Sequence, residues 1–107
     1  MKVNVMCIPM CGEIGVEVHE NEDQLIIVVC GTATVKLGNS RCTADCVRRL
    51  CAGDSVFIPA GVWHNVCNTG NGQLKLISAY AYANENMNHG CAQTQNQDCG
   101  CAIDSGC

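Results

Sequence analysis

The sequence predicts an all-β domain over residues 1–83, an antiparallel barrel or sandwich with little helix, followed by an irregular Cys-rich tail over 84–107. Three observations predict it. Apolar runs are short and recur about every 8–12 residues between Gly, Pro, Asn and Asp, a rhythm of strands and turns. Several runs are β-branched, as in Leu25–Cys30, which reads Leu-Ile-Ile-Val-Val-Cys,. No stretch holds the 3.6-residue periodicity of a long helix.

The elements follow in order. Val3–Ile8 is a first strand, ended by a turn at Pro9–Gly12. Ile14–His19 is a second, broken by the polar run Glu20-Asn21-Glu22-Asp23. Leu25–Cys30 is a buried strand, and Gly31 turns the chain into Thr32–Leu37, which alternates,. Gly38-Asn39-Ser40 is a hairpin signal,. Residues 41–51 read equally as a strand or as a turn and a half of helix. Ser55–Ile58 and Trp63–Cys67 flank a Pro59-Ala60-Gly61 turn, and Asn68–Gly72 is a further turn,. Gln73–Tyr82 alternates, with Leu74, Leu76, Ser78, Tyr80 and Tyr82 on one face,. Beyond Asn84 apolar side chains nearly vanish, so the tail has too little to bury to fold by itself,.

Composition narrows the function classes. A chain of 107 residues makes one domain; at that size roughly 60–70% of the unfolded surface is buried, enough for one core. Hydrophobic residues make up 48%, which fits a packed globule,. The net charge is −4 with six Lys and Arg, and no basic stripe, so no nucleic-acid partner is expected,. No apolar run approaches the roughly 20 residues of a membrane helix, so no membrane partner is expected. The N-terminus lacks the pattern of a signal peptide,. Eleven cysteines are an odd count without an export signal, which favours reduced thiols and a cytoplasmic location over a disulfide framework,. Cys30 and Cys67 fall in apolar runs, where cysteine serves as a small hydrophobe,.

The most specific signal runs from Gly53 to Asn68. Gly53, Pro59, Gly61, His64 and Asn68 stand at G-x5-P-x-G-x2-H-x3-N. Gly53, Pro59 and Gly61 make turns, Asn68 pins one, and His64 opens the return strand. This segment resembles the second signature motif of the cupins, and the chain is similar to a small single-domain cupin over roughly residues 10–82. The resemblance implies a cupin-type β-barrel or jelly roll, with His64 as a metal ligand inside it. It also implies that the chain pairs as a homodimer. The first cupin motif, H-x-H-x4-E-x6-G, aligned on Gly31, falls on Glu17, His19 and Gln24. The spacing holds while two ligand types differ, Glu for the first His and Gln for Glu.

The residues also support a site directly. Positions two apart on a strand share a face, with Cα atoms ~6.5 Å apart, so Glu17 and His19 project together. Gln24 follows a short polar turn and can lie opposite them. Glu17, His19, Gln24 and His64 are thus the candidate metal ligands, with oxygen and imidazole donors suited to Zn, Fe, Mn, Co or Ni. Asp23 is a further oxygen donor. Each also has an ordinary reading, as a core or surface histidine, a solvated charge or a rim amide. Trp63 is a pocket wall or rim filler. Tyr80 and Tyr82 are candidate proton donors, or core packing.

Two principal functions compete: a metal-dependent enzyme of isomerase or oxygenase type acting on a small polar or sugar-like molecule, and a non-catalytic module that binds metal or a small ligand. Phosphorylated substrates are disfavoured, because of the basic residues only Lys36 and Lys75 lie in expected strands and Lys75 alternates away from the Leu74/Leu76 face. A thiol-rich metal store is a third reading. Its residues are Cys42, Cys46 and Cys51, and in the tail His89, Cys91, Cys99, Cys101 and Cys107. Neither cluster has paired C-x2-C spacing.

Overall fold

The computed structural model describes residues 1–82. Seven strands follow one another: β1 Lys2–Ile8, β2 Glu22–Cys30, β3 Thr32–Gly38, β4 Cys46–Cys51, β5 Ser55–Ile58, β6 Trp63–Asn68 and β7 Leu74–Tyr82. There is no helix among the described residues. All named pairings are antiparallel. One sheet has the order β1-β7-β2-β5 and the other β4-β3-β6. Strands adjacent in sequence thus often lie in different sheets, as in a jelly roll.

The two sheets share one core. β2 gives Ile26 and Val28, β3 gives Ala33 and Val35, β7 gives Leu74 and Leu76, and Ile8, Leu50, Val56, Ile58 and Val66 complete it. Burying each large aliphatic side chain contributes about 1.5–3 kcal/mol. The alternation of β7 holds over its first half: Leu74, Leu76 and Ser78 are buried and Lys75 is exposed.

Three expectations are corrected and one open reading, that of residues 41–51, is resolved. Ile14–His19 is not a named strand. Its segment lies along the free edge of β6 through the single bridges Glu13–Cys67 and Glu17–His64, because the ladder is interrupted between them. In residues 41–51 only Cys46–Cys51 is strand, with a Ser40–Thr43 bridge before it. Tyr82 is 89% exposed and does not line the interior. Cys30 ends β2 beyond a register shift and is exposed, so it is not a core hydrophobe.

The reduced-thiol expectation holds for Cys7, Cys11, Cys30 and Cys51. It fails for Cys42, Cys46 and Cys67, which are disulfide-bonded. The tail cysteines and His89 lie outside the described residues. Among the described residues no helix is long and apolar enough to cross a membrane.

Candidate metal centre

His64 is placed by the turn before it. Gly61 adopts a φ of 82°, a region open to glycine and strained for other residues,. The turn is tied down from outside: Gly61 N donates to His19 O at 2.8 Å and Ala60 N to Asp23 Oδ1 at 2.9 Å. Asp23 is therefore occupied as a turn anchor, with its carboxylate accepting a hydrogen bond from the Ala60 N–H. The chain then enters β6 with the His64 side chain 3% exposed.

The tautomer of His64 follows from its partner. Nδ1 lies 2.9 Å from Val62 O. A carbonyl only accepts, so Nδ1 carries the proton and the Nε2 lone pair is free. Nε2 is buried and has no hydrogen-bond partner. Burial is the main cause that holds the His64 pKa below its ordinary 6.5; the Val62 carbonyl and Glu17 act against it, and His19 reinforces it,. The neutral imidazole is the form that binds metal.

Glu17 meets His64 at the backbone, through Glu17 N to His64 O and His64 N to Glu17 O, both 2.9 Å. Its Oε1 stands 3.0 Å from His19 Nε2 and 3.6 Å from His64 Nε2. One carboxylate oxygen thus faces both imidazoles. Donor atoms of Glu17, His19 and His64 all lie within 4.8 Å of one another. A tetrahedral ion bound at about 2.0–2.2 Å sets its donors about 3.3–3.6 Å apart, so the two pairs at 3.0 and 3.6 Å need only a small adjustment. The Glu17 and His19 side chains are 37% and 29% exposed, which leaves the cluster open on one side. One carboxylate oxygen and two imidazole nitrogens suit a divalent ion.

Gln24 is buried on β2, where its amide nitrogen donates to Ser78 Oγ at 2.7 Å and Tyr80 Oη at 3.1 Å. These bonds leave Gln24 Oε1 buried and without a hydrogen-bond partner. Tyr80 joins the two groups, with its ring edge-on to His19 at a centroid distance of 5.1 Å. The Lys2 ammonium lies over the Tyr80 ring, 5.4 Å from its centroid. Of the expected site residues, the structure gathers Glu17, His19 and His64, sets Tyr80 against His19, and leaves Tyr82 exposed. Trp63 is half-buried at the start of β6.

Sequence reasoning missed Asn65, Ser78 as the partner of Gln24, and Glu13. Asn65 is fully buried. Its Oδ1 accepts from Gly15 N at 2.9 Å, and its Nδ2 donates to Glu13 Oε1. The available signal was an amide inside the apolar strand Trp63–Cys67. Asn68 pins a turn as expected, donating to Ile8 O and Gly72 O and accepting from Gly70 N.

Comparison with known proteins gives the family and the fold. The family profile described as Cupin domain matches residues 4–80. The uncharacterized protein YrkC of Bacillus subtilis is 40% identical over 83 residues, covering 78% of this chain and 45% of that protein. The chain thus spans about half the length of the curated relatives it matches. The crystal structure of BH2720 from Bacillus halodurans superposes with a TM-score of 0.72 and 34% identity, covering 85% of this chain and 66% of that one. A predicted oxalate decarboxylase from Thermotoga maritima superposes with a TM-score of 0.65 at 22% identity, covering 75% and 64%, a likeness of fold.

Proposed function

The chain belongs to the cupin domain family, and we propose that it is a metal-dependent member in which Glu17, His19 and His64 hold one divalent ion, with Gln24 Oε1 as a fourth donor. Zinc, iron, manganese, cobalt and nickel all suit the donor set. One observation carries the reading: a buried imidazole nitrogen with no partner, its other nitrogen fixed by Val62 O, next to a carboxylate and a second imidazole.

The proposed activity is that of an enzyme on a small polar or sugar-like molecule entering from the open side of Glu17 and His19. A bound ion supplies a Lewis acid that polarises an oxygen of that molecule. The chain's own residues do the rest. Val62 O holds the His64 ring in one orientation. Ser78 and Tyr80 hold the Gln24 amide so that its oxygen, not its nitrogen, is left free. Tyr80, whose ring lies edge-on to His19 and whose Oη accepts from Gln24 Nε2, is the candidate to give or take a proton.

Elemental analysis of the protein purified without chelators tests the reading. It should show one divalent ion per chain in the wild type and a large loss in His64→Ala. Equal content in the two would end the assignment.

The second reading is a non-catalytic metal- or ligand-binding module. It is favoured by the engagement of Asp23 with Ala60 N and by the exposure of Tyr82, which remove two acid–base candidates. A cobalt-loaded protein whose visible spectrum does not change when small carboxylates are added would favour the module, since an enzyme keeps an open position.

Pairing into a homodimer is also part of the proposal. The outward face of the larger sheet carries Val3, Val5, Leu25 and Val29, exposed by 56%, 72%, 36% and 51%, and a second copy would cover it. Val5→Lys should then shift the mass in light scattering from dimer to monomer. The cytoplasmic assignment is the part that the disulfide-bonded Cys42, Cys46 and Cys67 weigh against,.

A further inference from the structure

The segment that carries Glu17 and His19 has a register fault, and the fault decides which side chains face the metal centre. Glu13 lies opposite Cys67. Asn68 N donates to Gly12 O and Ile14 N to Val66 O, so the segment and β6 advance in step as far as Ile14. In unbroken register, the residue opposite His64 would be Val16. The observed partner is Glu17, joined to His64 by two backbone bonds. One extra residue has entered between Ile14 and Glu17, so that Gly15 and Val16 together oppose Asn65. This is a β-bulge.

The bulge has two supports. Gly15 takes a φ of 112°, left-handed backbone that side chains with a Cβ rarely adopt,. Its amide donates to Asn65 Oδ1 at 2.9 Å. Asn65 Nδ2 in turn donates to Glu13 Oε1. The buried Asn65 amide therefore spans the fault, gripping the segment on both sides of Ile14.

The consequence is geometric. Ile14 packs against the core, and Glu17 meets His64 at the metal centre. They stand three positions apart, an odd step. In a regular strand an odd step places two side chains on opposite faces. The bulge absorbs the odd step.

We propose that Gly15 and Asn65 form a clamp that sets the phase of this segment, and that Asn65 is a positioning residue for the metal centre acting through Glu17 and His19. This inference rests on the metal-binding reading above and extends it to residues that touch no ligand. Without the clamp the segment slips by one residue, Val16 faces His64, and Glu17 and His19 turn away together.

Co²⁺ titration followed by the visible spectrum, with a thermal melt on each protein, tests this. Gly15→Val, which disfavours the left-handed backbone, should weaken Co²⁺ binding by about tenfold or more, the range for groups that orient metal ligands. Asn65→Ala should weaken it similarly. Deletion of Gly15 is the decisive variant. It removes the extra residue, restores regular register with Glu17 still opposite His64, and should bind Co²⁺ close to wild type. A merely structural glycine predicts the reverse, with deletion at least as harmful as substitution. Gly15→Val binding like wild type, or deletion losing the metal as fully as Gly15→Val, would overturn the clamp while leaving the metal centre standing. A wild type that binds no Co²⁺ at all would overturn the metal centre itself, and the positioning role with it.

Discussion

The two banks of the proposed metal centre are built differently. His64 comes from a regular strand, is 3% exposed, and has one nitrogen committed to Val62 O. Glu17 and His19 come from an irregular segment joined to the edge of β6 by isolated bridges, and their side chains are 37% and 29% exposed. The closed bank supplies a ligand already desolvated and oriented, so binding spends little on ordering it. The open bank supplies the carboxylate and the access. Burying all three would leave a carboxylate out of water without an ion, a costly arrangement. Exposing all three would leave each free to rotate and to be solvated. The division of labour teaches that one rigid anchor is enough, provided the other bank is held in phase.

Removing the closed bank gives the largest expected effect. His64→Ala should cost more metal affinity than the about 10–100-fold lost when an outer partner of a ligand is disturbed, while the β signal in circular dichroism persists. Titration of a divalent metal checks it, and an affinity within that range would mean that the open bank binds alone.

Acidification should separate the banks next. The folded pKa of His64 lies below its unfolded value near 6.5. Between those two values the unfolded chain holds the extra proton, so stability rises with pH across the window and falls as pH drops below about 6.5. The urea midpoint of the metal-free wild type should decline over that window more steeply than that of His64→Ala. Parallel declines would show that burial of His64 carries no such cost.

Smaller effects are expected at the floor of the site. Gln24→Leu leaves the Ser78 and Tyr80 hydroxyls without their amide partner and should destabilise the fold by about 1–3 kcal/mol, with a modest loss of metal affinity. A stability loss with unchanged affinity would mark Gln24 as structural. Tyr80→Phe removes one of the two acceptors of that amide and should cost about 0.5–1.5 kcal/mol, read from denaturant midpoints, with metal content unchanged. A loss of metal there would mean that Tyr80 also orients His19.

Much of this was legible in the chain. Strand runs such as Leu25–Cys30 and Gln73–Tyr82 are read from alternation and β-branching, which act locally, and they reappear as β2 and β7. The spacing from Gly53 to Asn68 located His64 and its turn, since Gly61 and Pro59 constrain the backbone wherever they stand. Glu17 and His19, two apart, do project together. The bulge was not legible. Gly15 reads as an ordinary weak point in a strand, and its meaning depends on Asn65, fifty residues away. The exposure of Tyr82 was equally hidden, because alternation gives the side of a sheet but not where its cover ends.

The sequence by itself determined the all-β class, the turn positions and the donor types, because propensity, turn chemistry and two-residue alternation are written in neighbouring residues. The tertiary structure alone decided that Glu17 lies opposite His64, that His64 Nε2 is left without a partner, and that Cys42, Cys46 and Cys67 are disulfide-bonded. Register between distant strands, and which polar atoms lose water, are set by the packing of the two sheets together.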